Sequence, residues 1–199
     1  AVERLTRAAT DANVGIRAKV AELASSLPIE FARTVLGRLA EDGDSLVAAR
    51  ALEGIARLNL SGLGPTLLRN MRRANPLTRA MARRAMVATL PQSDVEGMLA
   101  LILADAYAPA ALKIEILTAM TSGSLPPTLT VIPPLLDSSS EEVRRAAEGA
   151  LRRCTGCDFG TSRAPWEKWI ATNADAISVH CLALVVYASE GPLQTGDVV

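Results

Sequence analysis

The sequence is poor in aromatic residues and almost without histidine. Only Phe31, Tyr107, Phe159, Trp166, Trp169 and Tyr187 are aromatic among 199 residues, against 34 alanines and 27 leucines. This balance argues against all-β architecture, whose strands draw on aromatic and β-branched side chains, and suits close-packed helices. One histidine, His180, and three cysteines leave too little material for histidine-based catalysis or a multi-histidine metal site. The odd cysteine count also argues against a disulfide framework. Net charge is absent, with 21 basic and 21 acidic residues, so no bulk electrostatic pull toward nucleic acid or membrane is expected. Long apolar runs are missing too: the stretches 99–104 and 181–188 fall well short of the ~18 residues of a membrane span. The N-terminus lacks the basic start, apolar core and cleavage site of a secretory signal. Because the sequence begins with Ala, a leader can already be gone, so localisation stays open, the cytoplasm being slightly favoured over an exported mature fragment.

What the sequence does have is a period. Leu-Pro occurs at Leu27-Pro28, Leu90-Pro91 and Leu125-Pro126, and Leu60-Ser61 stands where a fourth copy belongs. An apolar helical segment follows each, over 29–40, 63–73, 95–106 and 129–136, and proline suits a first helical turn because its missing N–H has no partner there. A second helix completes each unit. Its apolar stripe reads Ile16/Val20/Ala24, Val47/Ala51/Ile55, Leu77/Met81/Ala85, Ala108/Leu112/Ile116 and Val143/Ala147/Leu151, always at i, i+4, i+8. Asp44-Ser45, Asn75-Pro76, Pro109 and the run 138–140 supply starts for these helices. A helix pair of about 31 residues buries one face alone, and stacking such pairs makes a continuous core. The expected fold is an all-α solenoid of about five antiparallel helix pairs over residues 1–170. Residues 171–199 form an extension, an extra helix or strand plus a tail. Residues 1–10 leave little room for a full first helix before Ile16, which hints at a truncation or an upstream domain.

Val143-Arg144 with Ala147, and Ile16-Arg17 with Val20, resemble HEAT-like repeats of the phycobilin-lyase type, whose second helix often opens Asp-x-x-Val-Arg with a later Ala. Val47-Ala48 and Leu77-Thr78 depart from that motif. The segment Thr155-Gly156-Cys157-Asp158-Phe159-Gly160 with Trp166 and Trp169 is similar to the ending of certain bacterial HEAT-repeat proteins, with Cys154 in place of the usual Leu. The resemblance covers most of 13–170. It implies that Gly156, Asp158, Phe159, Trp166 and Trp169 form a structural cap. Physically, Gly156 can end a helix in the left-handed conformation, and the tryptophans can cover the last pair's apolar face.

Catalytic constellations are hard to assemble. Cys154-Thr-Gly-Cys157 with His180-Cys181 has four potential zinc ligands, but no second pair has ligand spacing, so packing cysteines are expected and no metal or other cofactor. Covalent haem attachment needs a histidine where Asp158 stands, and a thioredoxin-type redox pair needs a strand-loop-helix setting that is missing. A di-iron hydroxylase of the deoxyhypusine type needs several histidines. A helical-repeat DNA glycosylase needs an aromatic and acidic pocket, whereas only Tyr107 lies between Phe31 and Phe159. No nucleophile elbow, Walker loop or dinucleotide fingerprint occurs. A bilin-lyase-like or metal-binding role stays as a lesser alternative.

Charge is segregated inside the neutral total. Residues 54–93 carry Arg57, Arg69, Arg72, Arg73, Arg79, Arg83 and Arg84 and no acid, whereas 94–148 hold eight acids against three cations. Arg79 and Arg83 fall one helical turn apart, off the apolar stripe, and Arg72 and Arg73 end the preceding helix, where cations suit its dipole. Solvated arginines with salt bridges are the plainest reading. The functional one is a scaffold or protein-interaction module without catalytic residues. Its candidate contacts, Arg69, Arg72, Arg73, Arg79, Arg83 and Arg84, would meet a protein with an acidic surface, gripping carboxylates bidentately. Nucleic acid is the alternative partner, weakened by the lack of interleaved aromatics for base stacking.

Overall fold

The computed structural model describes residues 2–173. The region from 174 onward, with His180, Cys181 and Tyr187, lies outside them. Among the described residues the fold is all-α and of the solenoid type, with ten α-helices, two 3-10 turns and no strand. The chain divides into two compact units, one of residues 1–95 and one that begins at Glu96, where the sequence suggests a single array.

The first unit is built from α1 (Val2–Ala8), α2 (Val14–Ala24), α3 (Ile29–Leu39), α4 (Ser45–Arg57), α5 (Gly64–Met71) and α6 (Pro76–Thr89). α1 packs on α2, α3 on α4 and α5 on α6, and the second helices stack in order, α2 on α4 on α6. The core is aliphatic and small, with Ala51, Leu52, Ile55, Leu67, Ala82 and Ala85 fully buried. Gly54 lets α3 and α4 approach closely: a Cβ there would lie 3.0 Å from Leu36 Cδ1. Each second helix of this unit starts at a polar side chain that accepts backbone N–H bonds. Asn13 takes the N–H of Gly15, Asp44 those of Leu46 and Val47, and Asn75 those of Leu77 and Thr78.

The second unit holds α7 (Gln92–Ala104), whose first turn precedes the boundary, then α8 (Ala110–Thr121), α9 (Glu141–Thr155) and α10 (Arg163–Thr172). α8 packs on α9, and α9 and α10 pack on the segment Pro133–Asp137. The helix expected over 129–136 is instead two 3-10 turns, Leu129–Val131 and Pro133–Asp137. Pro133 and Pro134 remove the two N–H groups an α-helix would need there, and shorter 3-10 bonds fit between them.

The apolar stripe differs from its expected register in α6, and in α8 it keeps its register but runs one turn further on. The second helices begin after Asn13, Asp44, Asn75, Pro109 and Ser140, at intervals of 31, 31, 34 and 31 residues. Counting 3, 7 and 11 residues on from these starts gives Val47/Ala51/Ile55, Thr78/Ala82/Met86, Leu112/Ile116/Met120 and Val143/Ala147/Leu151, every one buried. Leu77 is thus not the counterpart of Val47; it is 49% exposed, and the buried Thr78 takes that place. Ala108 precedes α8 altogether. In the first copy Val20 and Ala24 are buried and Ile16 is 42% exposed. The sequence misleads at α6 because a threonine in a core position looks polar, while the leucine before it looks like core.

Candidate functional site

The short loop between α3 and α4 concentrates three carboxylates, Glu41, Asp42 and Asp44. Asp44 is used in capping α4. Asp42 is gripped from both sides. Its carboxylate receives Arg17 Nε at 2.7 Å and Arg17 Nη2 at 3.0 Å, from α2 of the preceding pair. Its backbone oxygen accepts Arg73 Nη1 at 2.6 Å, from the loop between α5 and α6 of the following pair. The hydrogen bonds from Arg17 hold the Asp42 carboxyl below its usual range, and Asp42 raises the Arg17 guanidinium in turn. Glu41 takes a bond from Arg69 Nη2 and, at 2.9 Å, one from the Thr66 hydroxyl on α5. These two donors, Arg69 foremost, pull the Glu41 pKa down.

Arg79 belongs to a recurring device. Four residues after the starts at Asn13, Asn75 and Ser140 stand Arg17, Arg79 and Arg144. Each turns its Nη1 back onto the two carbonyls that precede the cap. Arg17 reaches Asp11 O at 2.8 Å and Ala12 O at 3.2 Å. Arg79 reaches Arg73 O at 2.9 Å and Ala74 O at 2.6 Å, and Arg144 reaches Ser138 O at 2.6 Å and Ser139 O at 3.2 Å. One guanidinium with donors in a fixed fork can hold both carbonyls, which a lysine ammonium does less well. In the corrected register the third copy reads Thr78-Arg79, so it carries the arginine that Leu77-Thr78 hides.

Of the six candidate contact arginines, the structure therefore places Arg69, Arg73 and Arg79 in bonds within the first unit. Arg69 and Arg73 are brought together with Glu41 and Asp42. Arg72 is the exposed C-cap of α5, Arg83 is half-buried on α6, and Arg84 is exposed on α6. Arg57 is exposed in the last turn of α4. Sequence reasoning overlooked Glu41, Asp42 and Arg17. A usable signal was present, since Asp11-Ala12-Asn13 and Asp42-Gly43-Asp44 stand 31 residues apart, each with its first Asp bonding the N–H two residues on, at 2.8 and 2.9 Å.

In the second unit α9 ends at Gly156, with φ +71° and its N–H donating to Arg152 O at 2.9 Å. Only glycine takes that left-handed backbone without steric cost. Phe159 meets Trp166 edge-on, ring centres 4.9 Å apart, and lies 6.5 Å from Trp169. Trp166 is fully buried and its Nε1 donates to Gly160 O at 2.8 Å. Asp158 pairs with Arg152 at 2.9 Å and accepts the Gly160 N–H at 3.0 Å. Cys154 is buried and Cys157 half-buried, with the Cys157 Sγ 3.7 Å from Thr155 O. Among the described residues no group of three or more His, Cys, Asp or Glu side chains could hold a metal ion, and no helix is long and apolar enough to cross a membrane.

No family model matches the chain, and no curated protein matches it. It is similar in structure to engineered and designed proteins. Two are engineered proteins solved by the Northeast Structural Genomics Consortium, each 16% identical, with TM-scores of 0.47 and 0.44. The first covers 95% of this chain and 96% of its own, the second 96% and 99%. A third is a designed armadillo repeat protein, 14% identical with a TM-score of 0.43, covering 94% of this chain and 99% of its own.

Proposed function

We propose that the chain is a HEAT-like, non-catalytic protein-interaction module, and that the arginine-bearing part of its first unit meets an acidic surface of another protein. One observation carries the reading: residues 54–93 contain seven arginines and no acid, and four of these arginines, Arg57, Arg69, Arg72 and Arg84, are exposed. Stacked pairs offer a firm surface on which such side chains keep a fixed spacing, and guanidinium groups recognise carboxylates in two-point contacts. Arg73 and Arg79 support that surface from within. Gly156, Asp158, Phe159, Trp166 and Trp169 are proposed as the cap that closes the array, since terminal repeats must cover their outer apolar face.

The test is affinity capture from a cell extract with the parent chain and with Arg72→Glu/Arg84→Glu, followed by binding of each captured protein in purified form. The expected result is a partner with an acidic surface that the double variant no longer retains. A partner held equally by both forms would overturn the reading. So would purified single-stranded DNA or RNA binding that outcompetes the protein and falls steeply with salt.

A further inference from the structure

On the exposed face of the second helices, one pair of positions changes character at α6. Six and nine residues after the cap, α2 carries Lys19 and Glu22, paired at 3.0 Å, and α4 carries Arg50 and Glu53, paired at 3.5 Å. These positions neutralise themselves in two successive helices. On α6 they are Met81, half-buried, and Arg84, exposed. The carboxylate that would close the third pair is replaced by a cation, and the cation by an apolar side chain. Two residues after the cap the adjacent helices α4 and α6 carry Leu46 and Leu77, which are 50% and 49% exposed. The face of α4 and α6 thus has an apolar end, Leu46, Leu77 and Met81. Its other end carries Arg57 and Arg84, with Arg50 level with Met81 between the ends, and the single acid of these two helices is Glu53. Glu22 on the neighbouring α2 lies within electrostatic reach of Arg50 and Arg57.

We infer that this face docks an acidic segment of another protein that also carries apolar side chains, with its leucine-like residues on Leu46, Leu77 and Met81 and its carboxylates opposite Arg57 and Arg84. The inference rests on the interaction reading above and names the chemistry of the partner. Charge complementarity selects a polyanion. The apolar end selects a polypeptide over a nucleic acid, because α4 and α6 contain no aromatic ring on which a base could stack. Adjacent helices lie about 8–10 Å apart, so a segment of three or four turns crossing both reaches the two ends at once.

The experiment is fluorescence anisotropy on the full chain with three labelled probes: an amphipathic glutamate–leucine peptide of about 15 residues, an all-glutamate peptide of the same length, and a single-stranded oligonucleotide. The glutamate–leucine peptide is expected to bind, and to lose about tenfold or more in affinity on Arg84→Glu and, separately, on Leu77→Ser. Arg84→Gln should give a smaller loss. Arg145→Glu, on the exposed side of α9, should change nothing, and the all-glutamate peptide should bind at least about tenfold more weakly. Circular dichroism melts confirm that each variant folds. Equal binding by the parent and Leu77→Ser, equal binding of both peptides, or tighter binding of the oligonucleotide would overturn the inference. If the glutamate–leucine peptide does not bind while capture from extract still depends on Arg72 and Arg84, this inference fails and the wider interaction reading stands.

Discussion

Arg17 and Asp42, 25 residues apart, form a two-point ion pair in which the Nε and Nη2 of the guanidinium meet the two carboxylate oxygens, at 2.7 and 3.0 Å. The pair is largely shielded, with side chains 16% and 11% exposed, and it links α2 to the loop that opens α4. Geometry of this quality separates it from surface pairs such as Lys19–Glu22, whose side chains are more than half exposed and which contribute little.

Asp42→Asn is expected to lower stability at neutral pH by about 1–2 kcal/mol through loss of the charge-assisted bonds. The sign of the pH dependence follows from the depressed pKa of Asp42. Its contribution is present above the ordinary carboxylate value near pH 4 and disappears as pH falls through the lower folded value. Thermal melts of parent and variant should therefore differ most above about pH 5 and converge in acid. A gap that widened on acidification would contradict the pairing.

Arg79 and Arg84 lie on the same helix in different employments. Removing Arg79 with an alanine deprives the Arg73 and Ala74 carbonyls of their donor and should cost about 1–2 kcal/mol. Arg84→Ala should stay within about 0.5 kcal/mol, as surface substitutions do. Urea denaturation of the two variants distinguishes them, and similar losses would count against the capping role of Arg79.

The register of α6 can be tested with two apolar truncations. Met86 is fully buried, whereas Leu77 is half exposed. Met86→Ala is expected to destabilise by about 2–5 kcal/mol, and Leu77→Ala by less than about 1 kcal/mol. The reverse order in denaturant melts would restore the alternative stripe.

At the end of α9, Trp166→Ala should cost about 3–5 kcal/mol, because a fully buried indole leaves a large cavity. Gly156→Ala should cost about 1 kcal/mol, the penalty of a Cβ at φ +71°. Trp169→Ala, at a half-buried ring, should fall between them. Intrinsic fluorescence follows all three, since Trp166 and Trp169 are the only tryptophans.

The repeat was legible because capping and periodicity are local. Asp44, Asn75 and Ser140 announce helix starts through side chains that bond N–H groups two or three residues on. The 3-10 turns were not foreseen, although Pro133 and Pro134 stood in plain view, because the apolar run around them resembles a helix. The arginines were legible as a cluster and not as individuals. Whether Arg73 faces solvent or Asp42 O depends on a loop 31 residues away, which composition does not encode. Thr78 shows the same limit at the core, since its burial follows from helix phase and not from its polarity.

Asp42 is held by a side chain from the pair before it and by another from the pair after it, so its loop takes part in three successive pairs at once. Stacked-pair proteins ordinarily pass cooperativity from neighbour to neighbour. Here a link spans two steps, and Arg79 extends it by fastening the backbone of Arg73 to the start of α6. Amide protons of α2, α4 and α6 should accordingly exchange with a common opening free energy and not fray one pair at a time. A partner that pulled on the loop before α6 would then be felt at α2, through three arginines and one aspartate.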